Sequence, residues 1–335
     1  MQIEEHIPLG PLTTFKIGGP ARFFARVKTT EELQEALAFA KEKNVKLFIL
    51  GGGSNILVDD AGFDGLVIKV EITGVEEQGN VCIAGAGESW DALVLRAVEK
   101  KLWGIENLSG IPGTVGGAVV QNIGAYGQVL SQTLEWVDVY DTVVGQEKRL
   151  SKEECKSGYR DSLFKHEPGR YVVLRAAVEL STTERADVSY KDLAARFAGS
   201  TPTLQEVREA VLAIRAAKFP DILVEGTAGS FFKNPIVPLA EAKALQATYP
   251  ELPLFPLPES ADVKVPLGWF LDYRHGVLDM RSVRIGGARM YEKQFLVIAA
   301  ERGTSSADVK TLVALVQKKI RDTLNVDIEP EVTMI

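Results

Sequence analysis

Glycine is concentrated in one segment, residues 109–127, which reads SGIPGTVGGAVVQNIGAYG. A glycine in a regular element costs roughly 0.5–1 kcal/mol relative to alanine, so this density indicates that bare main chain is needed. Two needs are common: positive φ in tight turns, and the close approach of a large ligand to main-chain N–H groups. Polar side chains and an apolar wall suited to a flat ring system favour the ligand, while a loop that only turns the chain is the alternative. The polar residues are Thr114, Gln121, Asn122 and Tyr126, and the apolar residues are Ile111, Val115, Val119, Val120 and Ile123.

A shorter glycine cluster, GGGSN at residues 51–55, comes first along the chain; it follows a predicted strand over 45–50 and precedes the apolar run 56–58. Successive main-chain N–H groups in such a turn form a concave nest for phosphate, to which Ser54 and Asn55 add side-chain donors. The segment matches neither the G-x-x-x-x-G-K-[ST] of a P-loop nor the G-x-G-x-x-G of a dinucleotide fold. A plain turn is the alternative here also.

Two further blocks carry groups that can bind anions or transfer protons. In GYRDSLFK, residues 158–165, Arg160 and Lys165 flank one carboxylate, so a cation is left to meet a carboxylate or phosphate, unless the group is a solvated surface pair. In GTAGSFFKNP, residues 226–235, small residues followed by two aromatics and a proline predict a tight turn that presents Ser230 beside an apolar surface. No Ser-His-Asp arrangement is evident, so Ser230 is either a structural turn residue or a proton donor, not a hydrolase nucleophile.

The elements that must position these blocks follow from caps and periodicity. Thr29 and Glu32 predict a helix over 29–43, and Ser89 begins another with apolar residues on one side. Strands are expected at 66–72, 81–84, 134–144 and 171–181. Capping pairs predict a short helix at Ser151 and Glu154 and a further helix from Thr203 to about Lys218. A small mixed domain follows, and a helix from Ser305 closes it. The segment 326–332 is expected to be a short strand in which the two carboxylates around Pro330, those of Glu329 and Glu331, are differently directed, one of them solvated.

Composition limits the class of protein. The 335 residues, 46% hydrophobic and 25% charged, are enough for two or three globular domains. A net charge of −7 without a basic run argues against nucleic-acid or membrane partners. Three isolated histidines make a metal centre improbable, and two distant cysteines, Cys82 and Cys155, suit a reducing compartment. The N-terminal residues do not resemble a signal peptide, so we expect a cytoplasmic protein with no bound metal.

With these residues laid out, the chain resembles the UDP-N-acetylenolpyruvoylglucosamine reductase family, in the subtype with an extra tyrosine loop. The resemblance rests on five ordered blocks: GGGSN at 51–55, SGIPGTVGGAVVQNIGAYG at 109–127, GYRDSLFK at 158–165, GSFFKNP at 229–235 and EPEV at 329–332. It implies an α+β fold: an FAD-binding domain of the vanillyl-alcohol-oxidase type, made of two α+β subdomains, and a smaller α/β C-terminal substrate domain. The implied boundaries are 1–70 for the first subdomain, 71–218 completed by 325–335 for the second, and 219–324 for the substrate domain.

The resemblance also implies roles for individual residues. The segments GGGSN and IPGTVGGA would hold the FAD pyrophosphate and isoalloxazine, and the implied cofactor-binding residues are Gly51, Gly52, Gly53, Ser54, Asn55, Pro112, Gly113, Gly116, Gly117, Asn122, Gly124, Ala125 and Tyr126. Arg160 and Glu331 match the pair near the enolpyruvyl carboxylate, and Ser230 matches the proton donor. The residues that match substrate-binding positions are Tyr190, Lys218, Asn234 and Gln294. Phe255 aligns where the subtype has a tyrosine, so one hydroxyl contact to the nucleotide is lost.

The implied reaction is the NADPH-dependent reduction of UDP-N-acetylglucosamine enolpyruvate to UDP-N-acetylmuramate through FAD, a step in peptidoglycan precursor synthesis. Arg160 would stabilise the enolate-like charge and Ser230 would protonate C2. We expect non-covalent FAD, because no histidine or cysteine lies in a glycine block, and a monomer without nucleic-acid or membrane partners. A flavin oxidase of the same fold and a non-enzymatic flavin or nucleotide-sugar sensor are the competing interpretations.

Overall fold

The computed structural model describes residues 1–257 and 260–335, and the chain divides into two compact units. Unit 1 contains Met1–Ile7, Pro20–Gly53 and Phe63–Ala217, and unit 2 contains Pro8–Gly19, Ser54–Gly62 and Lys218–Ile335. Neither unit is therefore a single continuous stretch of chain. None of the helices in the described ranges combines the length and apolar character that crossing a bilayer requires.

The first sheet of unit 1 has the strand order β1-β2-β5-β3, and β5 pairs in parallel with both β2 and β3. Its strands are β1 (Ile3–Pro8), β2 (Pro20–Val27), β3 (Lys46–Leu50) and β5 (Phe63–Val70), while β4 (Ile56–Leu57) belongs to unit 2. Helix α1 (Thr30–Lys43) connects β2 to β3; the Thr29 hydroxyl accepts from the Glu32 N–H at 3.2 Å and Asn44 ends the helix with φ 51°. The helix expected over 29–43 is confirmed, and the first glycine cluster follows the carboxyl end of β3.

The second sheet of unit 1 is antiparallel, with the order β11-β10-β12-β7-β6. Its strands are β6 (Val75–Gln78), β7 (Val81–Gly85), β10 (Leu134–Asp141), β11 (Gln146–Ser151) and β12 (Tyr171–Glu179). Strand β10 ends before the expected residue 144 because the Asp141 carboxylate accepts from the N–H groups of Val143 and Val144 and closes a turn. Apart from 3-10 turns, the other helices and strands of unit 1 are α2 (Trp90–Glu99), α3 (Val115–Gln121), β8 (Gly124–Ala125), β9 (Gln128–Val129), α4 (Leu163–His166), α5 (Lys191–Arg196) and α6 (Leu204–Lys218), whose last residue belongs to unit 2.

One core joins the two sheets of unit 1 to helices α1 and α2. Leu33 of α1, Ile68 of β5, Trp90 of α2, Val137 of β10 and Val172 of β12 are all buried within it. Burying side chains of this size stabilises a fold by about 1.5–3 kcal/mol each, so the glycine segments rest on a rigid support.

The helix expected at Ser151 and Glu154 is wrong, although its capping bonds exist. The Ser151 N–H donates to the Glu154 carboxylate at 2.9 Å and the Glu154 N–H donates to the Ser151 hydroxyl at 3.3 Å. Lys156 then takes a left-handed φ of 46°, so the helical conformation ends after a single turn. The helix from Thr203, in contrast, is confirmed as α6, and Thr203 and Glu206 make the expected reciprocal bonds.

Unit 2 contains two small antiparallel sheets, with the orders β13-β15-β14 and β16-β17-β18. Their strands are β13 (Ile236–Pro238), β14 (Phe255–Pro256), β15 (Asp262–Lys264), β16 (Arg284–Ile285), β17 (Ala288–Met290) and β18 (Ile298–Ala300), and the helices are α7 (Leu239–Thr248), α8 (Leu267–Leu271) and α9 (Ser306–Leu324). The core includes Phe231, Phe270 and Leu312 together with Phe15 and Leu57 from the N-terminal part of the chain.

The strand expected over 326–332 is wrong. Pro330 makes an isolated bridge with Phe232, and the regular pairing begins only at β19 (Thr333–Met334), which is parallel to β4. Pro330 lacks an N–H, and the Ile328 carbonyl accepts from the Gln317 side chain at 3.0 Å, so the segment has too few groups for a strand ladder.

Candidate functional site

In unit 1 the two glycine segments contact each other through main chain. A Cβ added to Gly52 would lie 2.5 Å from the Gly113 Cα, and one added to Gly51 would lie 2.8 Å from the Thr114 hydroxyl. Gly53 and Gly113 have φ angles of 65° and 126°, which side chains disfavour. These four glycines are thus explained by packing and turn geometry, and Pro112 directly precedes Gly113.

Helix α3 lies inside the second glycine segment, where the sequence predicted no helix. Thr114 is its N-cap, and its hydroxyl accepts from the Gly117 N–H at 3.4 Å. A Cβ on Gly116 would lie 2.9 Å from the Ala86 Cβ, and the Gly116 N–H donates to the Ala86 carbonyl at 2.9 Å. Asn122, in left-handed conformation with φ 40°, ends the helix. The glycines therefore let a helix pack closely on the strand end before α2.

Gly117 is the glycine of this segment that neither packing nor turn geometry explains. The nearest atom to its added Cβ is the Thr114 hydroxyl oxygen at 3.6 Å, an ordinary contact distance, and its φ lies outside the left-handed region. The other five glycines of residues 109–127 have either a positive φ or an atom closer than 3.0 Å. A bare position that has room for a side chain fits a surface that a flat ligand would cover.

Lys69 at the end of β5 is a cation at this site that the sequence reasoning missed. Its ammonium donates to the Gly51 carbonyl at 3.1 Å, and Lys69 is paired in register with Leu50, the last residue of β3. Burial lowers the pKa of the Lys69 ammonium. The signal was present, because a single lysine within the apolar run 66–70 is unusual for a buried strand.

Arg160 occupies a tight turn that joins it to the second glycine segment. The turn is closed by hydrogen bonds of 2.9 and 3.3 Å between the main chains of Gly158 and Asp161, and Arg160 has a φ of 54°. The Arg160 Nη2 donates to the Gly124 carbonyl at 2.7 Å, while the Asn122 amide donates to the Gly158 carbonyl at 2.8 Å. A non-glycine residue in this conformation costs of order 1–3 kcal/mol, which is typical of functional turns.

The charged neighbours of Arg160 have partners other than those that the sequence suggested. The Asp161 carboxylate lies 2.7 Å from the His166 Nε2. The Lys165 ammonium donates to the Gln121 side chain at 2.9 Å and to the Arg160 carbonyl at 3.0 Å. Lys165 therefore links the Arg160 turn to the last residue of α3.

Tyr126 connects the glycine segment to Tyr190. The two rings meet edge to face with their centroids 5.5 Å apart. Tyr126 is buried, and this burial raises the pKa of its phenol to about 12. Asn107 joins the Tyr126 segment to the segment before Tyr190, because its amide donates to the Tyr126 carbonyl at 2.8 Å and to the Asp187 carbonyl at 2.7 Å. Ala125 precedes Tyr126 in the β8–β9 hairpin.

In unit 2, Ser230 follows a β-bulge. Gly226 pairs with Ala300 and Ser230 pairs with Val297, so the chain advances four residues on one side and three on the other. The extra residue is accommodated at Gly229, whose φ is 76°. Bulges of this kind redirect the side chain that follows and are common beside active sites. The segment 226–235 is non-helical, as expected, but it is irregular extended chain with a bend at Gly229 and not the tight turn that the sequence predicted.

Glu331 is attached through its main chain to the segment that follows Ser230. The Glu331 N–H donates to the carbonyl of Phe231, the next residue after Ser230, at 2.7 Å. The Asn55 amide donates to the Glu331 carbonyl at 3.1 Å, so the first glycine cluster also contributes to this part of unit 2 through Asn55, which follows Ser54. Glu331 is half-buried, whereas the Glu329 side chain is 78% exposed, which confirms that one of the two carboxylates is solvated.

The residues expected to bind the substrate in unit 2 are placed on several elements. The Asn234 side-chain oxygen accepts from the Leu267 N–H at 3.0 Å, and the Gln294 carbonyl accepts from the Val297 N–H at 2.9 Å, next to the Ser230 pairing. Lys218 is the last residue of α6. Phe255 is exposed, and the Lys264 ammonium lies 5.6 Å from its ring centroid.

The described ranges of the chain contain no group of His, Cys, Asp and Glu side chains able to hold a metal ion. Cys82 and Cys155 are buried, and burial raises the pKa of the Cys155 thiol to about 11. A surface cavity of about 440 Å³ in unit 1, between α1 and Tyr140, contains none of the predicted site residues.

Comparison with known proteins gives matches along the whole chain. An FAD binding domain model matches residues 21–151, and a model of the UDP-N-acetylenolpyruvoylglucosamine reductase C-terminal domain matches residues 221–335. The UDP-N-acetylenolpyruvoylglucosamine reductase of Pseudomonas aeruginosa is 36% identical to the chain, and the match covers 99% of this chain and 98% of that protein. The reductase of Escherichia coli K12 is 37% identical, and the match covers 98% of this chain and 95% of that protein.

A crystal structure gives the same result for the fold. The UDP-N-acetylenolpyruvylglucosamine reductase from Thermus caldophilus matches with a TM-score of 0.71 and 26% sequence identity, covering 100% of this chain and 99% of the other. The likeness therefore extends over both units.

Proposed function

Because the chain belongs to the UDP-N-acetylenolpyruvoylglucosamine reductase family, we propose that it reduces the enolpyruvyl group of UDP-N-acetylglucosamine enolpyruvate with NADPH, and we assign its residues on that premise. It is an FAD-binding oxidoreductase of peptidoglycan precursor synthesis. The expected fold class, an FAD-binding domain of the vanillyl-alcohol-oxidase type with a smaller C-terminal domain, is confirmed. We further propose that the enzyme is cytoplasmic and is a monomer without nucleic-acid or membrane partners. Light scattering of the purified protein tests the monomeric state.

The open position at Gly117 is the observation that supports cofactor binding by the glycine segments. Bound there, FAD would supply the redox chemistry that connects oxidation of the nicotinamide to reduction of the enolpyruvyl double bond. Its binding residues in our proposal are those named from the sequence, and we add Lys69, whose cation at Gly51 suits a pyrophosphate. Because Gly51, Gly52 and Gly113 pack against each other, the shape of this surface is fixed before the cofactor arrives.

The chain's own contribution to the reduction is charge stabilisation and proton transfer. Arg160, held by its turn and by the Gly124 carbonyl, stabilises negative charge that develops on the enolpyruvyl carboxylate. Ser230, directed by the bulge at Gly229, donates a proton to C2. Glu331, hydrogen-bonded through its main chain to Phe231, keeps the Ser230 segment and its polar surroundings in place.

Substrate binding is assigned to Tyr190, Lys218, Asn234 and Gln294. Lys218 carries a positive charge suited to the diphosphate of the nucleotide sugar, and Asn234 and Gln294 have amides suited to its polar groups. The exposed ring of Phe255 stacks on uracil in this proposal, without a hydroxyl contact.

The flavin spectrum in anaerobic stopped flow tests the assignment of Ser230, because the two half-reactions are separate. We expect Ser230→Ala to leave flavin reduction by NADPH nearly unchanged and to slow reoxidation by the enolpyruvyl sugar at least ~10²-fold, as for a lost general acid. Ser230→Cys should recover part of the rate, since a thiol also donates a proton. The control is Ser282→Ala, in an exposed turn of unit 2. Wild-type reoxidation by Ser230→Ala would refute the assignment.

A further inference from the structure

An ion pair in unit 2 spans the strand to which the Ser230 segment is attached. Arg289 of β17 lies opposite Ala299 of β18, and Glu225 directly precedes Gly226, which pairs with Ala300. The Arg289 Nη2 lies 2.9 Å from both carboxylate oxygens of Glu225. The side chains of Arg289 and Glu225 are only 13% and 25% exposed, so solvent screens this pair much less than a surface pair.

The hydrogen-bonding capacity of the Glu225–Arg289 pair is not fully used. The Arg289 Nη1 is buried and has no hydrogen-bond acceptor within residues 1–257 and 260–335. Withdrawing two charges from water is expensive, and a buried N–H without an acceptor adds to that cost, so such a pair contributes little net stability. Its presence is better explained by the position that it imposes on the chain.

The Glu225–Arg289 pair lies where the bulge begins, so it can fix the position of the chain at that point. Gly226 and Ala300 exchange two main-chain hydrogen bonds of 2.8 Å, and the Phe231 N–H donates to the Leu296 carbonyl at 2.7 Å. Between these attachments the Thr227 N–H donates to the Thr14 carbonyl at 3.1 Å and the Thr227 carbonyl accepts from the Thr14 hydroxyl at 2.7 Å, so the place of the extra residue is open only over Ala228 and Gly229. A shift by one residue there would turn Ser230 to the other face. Before Gly226 the chain is an exposed turn at Leu223 and Val224. Phe219 packs on Val297 and Ala299 ahead of that turn, and the Glu225 side chain anchors the chain after it, directly before the bulge.

We propose that Glu225 and Arg289 form a positioning pair that fixes the bulge at Gly229 and thereby the direction of the Ser230 hydroxyl. The proposal rests on the role of Ser230 proposed above. Neither residue needs to contact the substrate. Since the Arg289 contact uses a single nitrogen, one ammonium group can replace it, and a lysine at this position should preserve the effect.

The experiment uses the flavin-loaded full chain and the two half-reactions. We expect Arg289→Met and Glu225→Gln to slow reoxidation by the enolpyruvyl sugar about 10- to 100-fold, the scale of a misplaced catalytic group, with flavin reduction by NADPH unchanged. Arg289→Lys should recover most of the rate. The matched control is Arg284→Met, which removes a pair with Glu301 in the same hairpin whose side chains are 52% and 53% exposed, and it should have no effect.

A double variant separates positioning from general damage. If Arg289 acts through Ser230, adding Arg289→Met to Ser230→Ala should slow reoxidation no further. Wild-type reoxidation by Arg289→Met, or an equal slowing in the Ser230→Ala background, would overturn the positioning role while leaving Ser230 as the donor. Wild-type reoxidation by Ser230→Ala alone would overturn the donor role and this proposal together. Unchanged flavin content and reduction by NADPH show that each variant is folded.

Discussion

At the scale of single residues, Gly117 carries the argument for a cofactor surface, because the protein itself gives no reason for a glycine there. The other glycines of the segment are needed for positive φ or close packing, whereas a Cβ added to Gly117 would make only an ordinary contact, 3.6 Å from the Thr114 hydroxyl oxygen. The ligand is then the object that excludes a side chain.

We therefore expect Gly117→Val to abolish flavin binding while the chain remains folded. Gly268→Val is the matched control, since Gly268 also lies in a helix and the nearest atom to its added Cβ is 3.7 Å away. Flavin absorbance after gel filtration measures binding, and circular dichroism measures folding. Normal flavin affinity in Gly117→Val would mean that the glycine serves another purpose.

At the scale of elements, the bulge before Ser230 depends on one left-handed residue. A Cβ on Gly229 would meet no atom within 4 Å, so substitution there costs backbone strain alone. We expect Gly229→Ala to lower the free energy of unfolding by about 1–2 kcal/mol and also to slow flavin reoxidation by substrate.

Gly199 provides the control for this prediction. It has a φ of 77° and equally open surroundings, but it lies in an exposed turn of unit 1. Gly199→Ala should cost the same in thermal or urea unfolding and leave both half-reactions unchanged. If the two alanine variants had identical kinetics, the bulge would have no part in directing Ser230.

Elements with local signals were predictable from the sequence, and elements set by distant partners were not. Helices α1 and α6 carry their caps within three residues, so their starts were correct. The turn after Ser151 carries the same signal, but the left-handed Lys156 that ends it has no sequence signature. Helix α3 was missed because its glycines lower helix propensity, and packing on Ala86 compensates for this.

The site shows the same division. Ser230 and Glu331 were named from separate blocks, but their association through Phe231 joins residues about a hundred positions apart and is invisible to local pattern. Lys69 was missed because its role appears only when β5 is placed beside β3. The Glu225–Arg289 pair likewise exists only once β17 and β18 are paired.

At the scale of the whole molecule, unit 2 depends on two short pieces from the first sixty-two residues. Phe15, Ile17 and Leu57 are buried in its core, and Asp60 accepts from the N–H of Ser306 at the start of α9 at 2.8 Å. We expect a fragment of residues 218–335 to remain unfolded alone, because it lacks these side chains and strand β4.

Amide proton dispersion in NMR spectra checks this expectation. The control is the same fragment extended by a linker that carries residues 8–19 and 54–62, which should gain structure. Cooperative unfolding of the unextended fragment would contradict the dependence.

Strand β4 has a consequence for the biosynthesis of the protein. Its partner β19 lies nearly 280 residues later, and the core that covers Phe15 and Leu57 is built mainly from residues after Lys218. At a translation rate of about 5–20 residues per second, these apolar side chains leave the ribosome roughly 10–60 s before their partners exist. During that interval they are open to chaperones and to aggregation, so the yield of folded enzyme in a cell is governed by elongation speed and chaperone supply as well as by final stability.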